Sequence, residues 1–410
     1  MLPRSCLFLL LSAVLSACGT SNLAPLEGPW VVELDLGEEK LPFNWEVGYD
    51  SIGHAIISFR NGEEIIVADD VVVSRDSIRI RMPFFDSEFI GVMSSDSLIQ
   101  GTWRNYLKGD NYHIPFVARA GVLSRFPRQS RTASERFVGK WRTWFSPETP
   151  DSYNSVGEFQ AISNGTVCGT FMTETGDYRY LAGSAFDDSL FLSCFDGSHA
   201  FLFKAHLRND SLIGRFWSGT HWQEPWVSVR SDSYHLRDPD SLSFLREGFD
   251  RVDFRFPDTE GVERSPRDPE YQGKPLLVHI MGSWCPNCLD ETKLLREMHD
   301  KYAPTGLRII AVAFEKHADR NRSLAGLRRF KNSLSVPYPV LYGGMASKEE
   351  ATRKLPFLQQ LISYPTCIFI GRDGRVQRIR TGFYGPGTGQ HYEEYKRGLD
   401  EYLSELVSQR

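Results

Sequence analysis

Ser283-Trp284-Cys285-Pro286-Asn287-Cys288 decides the reading of this chain, because it sets two thiols one helical turn apart. Before it, Pro275 to Met281 is an apolar run of the kind buried in a central strand. After it, Leu289 to Tyr302 carries apolar residues at helical spacing, so the pair is expected at a strand-to-helix turn. A thiol in that place meets unpaired backbone N–H groups and the positive end of the helix dipole, which favour thiolate. Cys285 is therefore expected as the attacking thiol, and Cys288 as the group that resolves the mixed disulfide. A CxxC is also half of a zinc site, but a second pair of Cys or His at ligand spacing is missing from the sequence. No metal and no organic cofactor are expected.

Three further stretches join the pair. Tyr364-Pro365-Thr366 precedes an apolar strand, Gly371-Arg372-Asp373-Gly374-Arg375-Val376 is a turn, and Trp284 adjoins Cys285. With these motifs, residues 249–410 resemble the TlpA-like, envelope-facing thiol-disulfide oxidoreductases of thioredoxin fold. The resemblance covers about the last 40% of the chain. It implies that Pro365 is cis and lies against the redox pair, and that Glu291 assists proton transfer. It also implies a reductase, with disulfide-containing protein clients and an upstream thiol electron donor. Two residues depart from the pattern: Lys293 stands where proline is usual, and His279 stands where thioredoxin has a buried aspartate. His279 reads either as a hydrogen-bonded core residue or as a relay for the Cys288 proton.

At 410 residues the chain has room for two or three domains. Aromatics at 13% and charged residues at 24% describe folded material, and a formal charge of −5 without a basic arm excludes nucleic acid as a partner. The apolar run Leu7 to Ala17 is too short to span a bilayer and reads as a signal peptide, residues 1–17. Leu15-Ser16-Ala17-Cys18 resembles a bacterial lipobox. That resemblance implies a lipid on Cys18, a tether over residues 18–27, and a place in the cell envelope, facing the periplasm from the outer membrane. In such a compartment disulfides persist. Five cysteines then remain besides Cys18: Cys168, Cys194, Cys285, Cys288 and Cys367.

From Gly28 the chain reads as short β runs broken by Asn-Gly, Asp-Gly and Asp-Ser turns, and it repeats. Gly28-Pro29-Trp30 returns as Gly139-Lys140-Trp141, Asn61-Gly62 as Asn164-Gly165, and Asp96-Ser97-Leu98-Ile99 as Asp210-Ser211-Leu212-Ile213. Trp103 answers Trp217, and the units end on Arg119 and Arg230. Two all-β antiparallel units, 28–119 and 139–230, are thus expected as barrels or sandwiches, joined by linkers 120–138 and 231–248. The Gly-x-Trp opening with a terminal arginine is similar to lipocalin-like barrels, in which the arginine lies across the tryptophan. Cys168 and Cys194 fall at apolar positions of the repeat, as core residues or a disulfide. In the second linker, Asp240-Ser241 is expected to cap a short helix through Arg246.

Residues 249–410 are expected as an α/β thioredoxin-like domain. Val252 to Phe256 reads as an edge strand, Leu307 to Phe314 as a buried strand, and Ala318 to Leu334 as a helix with a solvated arginine face. Ser347 to Leu361 reads as a capped helix broken at Pro356, Thr366 to Ile379 as a hairpin, and Tyr392 to Leu406 as the last helix. Cys367 reads as a buried thiol. Two other functions compete with the oxidoreductase. A peroxiredoxin is disfavoured because Val278 and Gly282 occupy its motif's proline and threonine positions. A binding module, with the thioredoxin fold as a prop, is disfavoured by the intact CxxC.

Overall fold

The computed structural model describes residues 23–121, 124–126, 130–162 and 165–409. The expected signal peptide and Cys18 lie outside them. None of the described helices is long and apolar enough to cross a membrane.

Nine antiparallel strands from Gly28–Asp35 to His113–Ala120 form the first unit as a meander whose first and last strands pair, Trp30 opposite Ala120. Successive residues alternate between interior and solvent, as in Trp30, Val32 and Leu34 of the opening strand. The interior is filled by side chains, with Trp30, Phe43, Trp45, Phe59, Phe89 and Trp103 all buried. One seam stays open: Glu64–Ala68 and Val71–Ser74 follow each other in the chain without pairing.

The second unit repeats the plan over Gly139–Phe145 to Trp222–Arg230, and here Tyr153–Ala161 pairs with Thr166–Thr173, so the barrel closes. The structural repeat runs one residue out of step with the sequence repeat near its end. Ile99 and Leu212 face inward, 113 positions apart, whereas the matching Asp-Ser-Leu-Ile motifs lie 114 apart and Ile213 is exposed. Trp103 therefore answers Phe216; Trp217 points outward, because a one-residue shift moves a strand side chain to the other face. The terminal arginines differ for the same reason. Arg230 stands opposite Trp141 and lies 4.4 Å over its ring, while Arg119 stands opposite Val31 and pairs with Glu33 at 3.2 Å. Cys168 and Cys194 are free thiols, so no disulfide joins them.

The two units share a core. The turn after Ser189–Phe195 inserts Phe195 into the first barrel, stacked on Phe43 at 4.4 Å and edge-on to Trp103 at 5.0 Å. Asn61 holds the inserted backbone from both sides, donating to the Phe195 carbonyl at 2.8 Å and accepting its N–H at 3.1 Å. Burying such a ring stabilises by about 1.5–3 kcal/mol, so the first unit depends on the second. Within linker 120–138, Arg125 donates to the carbonyls of Arg60 and Ser193, and a short helix spans Arg131–Glu135.

The C-terminal domain has a five-stranded sheet in the order Val340–Met345, Arg308–Glu315, Leu276–Met281, Thr366–Ile370, Val376–Thr381; the first three run parallel. Helices Pro286–Tyr302, Arg320–Ser333, Lys348–Lys354 and Gln390–Ser408 accompany it. The third starts on the Ser347 cap, and the residue after its end is Leu355, just before Pro356. Two expected elements are absent. Val252 and Phe254 are buried, but only Phe256–Pro257 pairs, with Glu263–Arg264, since alternation records a buried face and not a ladder. In place of a helix through Arg246 there is a single turn at Pro239–Ser241. Arg246 donates instead to the Phe357 carbonyl, and Phe244 accepts from Gln359. The arginine-rich helix is not merely solvated: Arg322 reaches Asp86 and Asp110 of the first barrel.

Candidate active site

Cys285 is the N-cap of helix Pro286–Tyr302, with Pro286 in the first turn where no N–H is needed. Its Sγ accepts the Cys288 N–H at 3.3 Å and lies 3.7 Å from the Tyr364 carbonyl. The Tyr364–Pro365 peptide is cis. Both cysteines are free thiols, Cys288 with no exposed surface and Cys285 with 6%. Burial pushes the Cys288 thiol well up, and its bond to Cys285 and the Glu291 charge add to this.

The motif loop is fixed from below. Trp284 donates its indole N–H to the Phe314 carbonyl at 2.9 Å, and its ring lies so close to Gly282 that a Cβ there would meet Nε1 at 2.3 Å. The threonine of a peroxiredoxin motif therefore has no room at this position. Glu315 takes the Ser283 N–H at 2.9 Å and hydroxyl at 2.6 Å. Burial pushes the Glu315 carboxyl up to about 7, although the Ser283 bonds favour the ionised form.

Glu291, His279 and Cys367 meet behind the pair, fully enclosed. Tyr395 donates to Glu291 Oε1 at 3.0 Å, and His279 Nε2 lies 3.1 Å from Glu291 Oε2 without the alignment of a hydrogen bond. Cys367 stands opposite His279 on the adjacent strand, and its thiol is pushed well up by burial and by Glu291. The ligand atoms of these three residues lie within 4.8 Å of one another, the donor set among the described residues that could hold a metal ion. The sequence separates them by 88 positions, from His279 to Cys367, so no ligand spacing announces them.

Sequence reasoning missed the residues that close over the motif. Ser198 donates to the Trp284 carbonyl at 3.0 Å, and Asn287 reaches the Asp177 carbonyl at 3.4 Å. Gly176 lies beneath Asn287 with φ +153°, a backbone that favours glycine, and a Cβ there would come within 2.3 Å of Nδ2. Arg179 is 2% exposed and joins three domains, pairing with Asp290 of the motif helix, with Glu64 of the first barrel at 2.6 Å, and approaching Asp196 at 3.6 Å. Burial raises the Glu64 and Asp177 carboxyls despite Arg179. These barrel turns thus hold the loop and first helical turn that carry the thiols.

Residues 250–379 match the AhpC/TSA family. The fold and the thiol pair define a thioredoxin-fold redox enzyme, a thiol-disulfide oxidoreductase. Among curated relatives, the thiol-disulfide oxidoreductase ResA of Bacillus thuringiensis subsp. konkukian is 26% identical over 162 residues, 39% of this chain and 78% of that protein. ResA of Halalkalibacterium halodurans is 26% identical over 140 residues, 34% of this chain and 71% of that protein. A thioredoxin-family thiol:disulfide interchange protein from Chlorobium tepidum is similar at 19% identity and a TM-score of 0.30, over 40% of this chain and 98% of that one.

Proposed function

We propose that the chain is a lipid-anchored, periplasm-facing disulfide reductase working through Cys285 and Cys288. The observation that carries this is the Cys285 sulfur at the helix N-cap, bonded by the Cys288 N–H, with Cys288 shielded behind it. Cys285 attacks a client disulfide, one client sulfur leaves as thiolate, and Cys288 displaces the other to form the Cys285–Cys288 disulfide. A thiol donor then resets the pair. Glu291, adjoining Cys288 electrostatically, serves as acceptor of its proton, with His279 behind it. Pro365 and Trp284 shape the approach to Cys285. Cys288→Ser is expected to accumulate mixed disulfides with clients, and Cys285→Ser none; adducts trapped on Cys288 instead would reverse the roles. The lipid on Cys18 is tested separately, since Cys18→Ser should release the protein from membranes.

A further inference from the structure

A cleft of about 540 Å³ opens in the mouth of the second barrel, lined by Tyr153, Phe201, His199, His221, Glu224 and, from the first barrel, Lys108; Ser198, next to His199, holds the Trp284 carbonyl. Lys108 lines it, and the charge of Lys316 in the catalytic domain acts on Lys108 and His221. Lys108 of the first barrel lies 3.1 Å from His221 of the second, and Lys316 of the catalytic domain lies 4.3 Å over the Trp284 ring. Neither lysine has an ion-pair partner among the described residues. The carboxylates nearby are committed: Glu224 accepts from Ser146, Tyr153 and Trp222, and Asp196 from His199. Asp196 acts on Lys108 without an ion-pair contact, so both ammonium groups keep room for an anion. Enclosure, the Lys316 charge adding to it, pushes Lys108 down to about 8, and enclosure with the Lys108 charge pushes His221 down to about 4.

We infer that this cleft selects disulfides bearing carboxylates beside the sulfur pair, with Lys108 and Lys316 as the specificity-determining residues. This rests on the disulfide-reductase reading. The 6% exposure of Cys285 and the barrel turns around it admit a narrow substrate, either a small anionic disulfide or an extended acidic segment of a protein. Its carboxylates would take the two unpaired ammonium groups while Cys285 attacks the near sulfur. The bond formed is Cys285–S, the bond broken is the substrate S–S, and Cys288 completes the two-electron reduction.

The test is the rate with which the dithiothreitol-reduced full chain reduces three small disulfides: oxidised glutathione (anionic), hydroxyethyl disulfide (neutral) and cystamine (cationic). The anionic compound should have the highest kcat/KM. Lys108→Gln and Lys316→Gln should each lower it about five- to tenfold, leave the neutral compound within about twofold, and raise the rate for cystamine. Salt should weaken the preference in the wild type and less in the variants. Disulfide peptides with acidic or basic flanks distinguish the extended source from the small one. Equal rates for the three compounds, or a uniform loss in both lysine variants, would overturn the inference and leave the reductase intact. Failure to reduce any of them, peptides included, would instead overturn the reductase reading.

Discussion

The two β units follow one strand plan and differ in how each completes its core. The second pairs Tyr153–Ala161 with Thr166–Thr173 and fills itself with Phe145, Phe171, Phe203 and Trp226. The first leaves one seam unpaired and takes Phe195 from its neighbour. Repetition in sequence therefore copies strand order without copying independence. The same turn that supplies Phe195 also supplies Ser198 to the Trp284 carbonyl, so the first unit's core and the covering of the redox motif hang on one hairpin.

Four measurements would break or sharpen this contrast. The largest effect is expected from Phe195→Ala, at about 3–5 kcal/mol of unfolding free energy. Tryptophan emission from Trp30, Trp45 and Trp103 in the first barrel should shift with it, and an unchanged first unit would show that the units are separable. Arg179→Met should cost about 3–4 kcal/mol near neutral pH, since it leaves Glu64, Asp196 and Asp290 buried without their cation. The cost should shrink in acid, because the raised Glu64 and Asp177 carboxyls take up protons there; a loss independent of pH would argue against an electrostatic joint.

Glu315 is the internal control, because it lies under the motif rather than in either barrel. Its carboxyl is raised to about 7 from an unfolded value near 4.5, so the folded state holds the proton longer. Its stabilising contribution is then complete below pH 4.5 and lost as pH rises through 7, a change of about 3 kcal/mol at most. Glu315→Gln should flatten that part of the stability profile while the acid behaviour of the Arg179 joint persists. The smallest effect separates the terminal arginines. Arg230→Gln should cost about 1 kcal/mol, because it loses the Trp141 ring and the Val138 carbonyl. Arg119→Gln should cost under about 0.5 kcal/mol, as an exposed pair does, and equal values would erase the asymmetry.

The sequence alone determined what depends on local order. The thiols one turn apart, their place at a strand-to-helix turn, the Ser347 cap with its stop near Pro356 and the alternating strands all follow from neighbours in the chain, whose spacing sets which face they share. It also foretold the antiparallel β character of the N-terminal half, though not which positions face inward, because a motif match counts residues while a barrel counts inward-facing positions. Only the tertiary structure decided that Arg179 would join Glu64 to Asp290, that His279, Glu291 and Cys367 would meet, and that Lys108 would reach His221 while Lys316 covers the Trp284 ring. These residues are brought together by the docking of separately patterned units. A lone arginine, glycine or lysine on a loop carries no periodicity, so its partner is fixed only when the surfaces close.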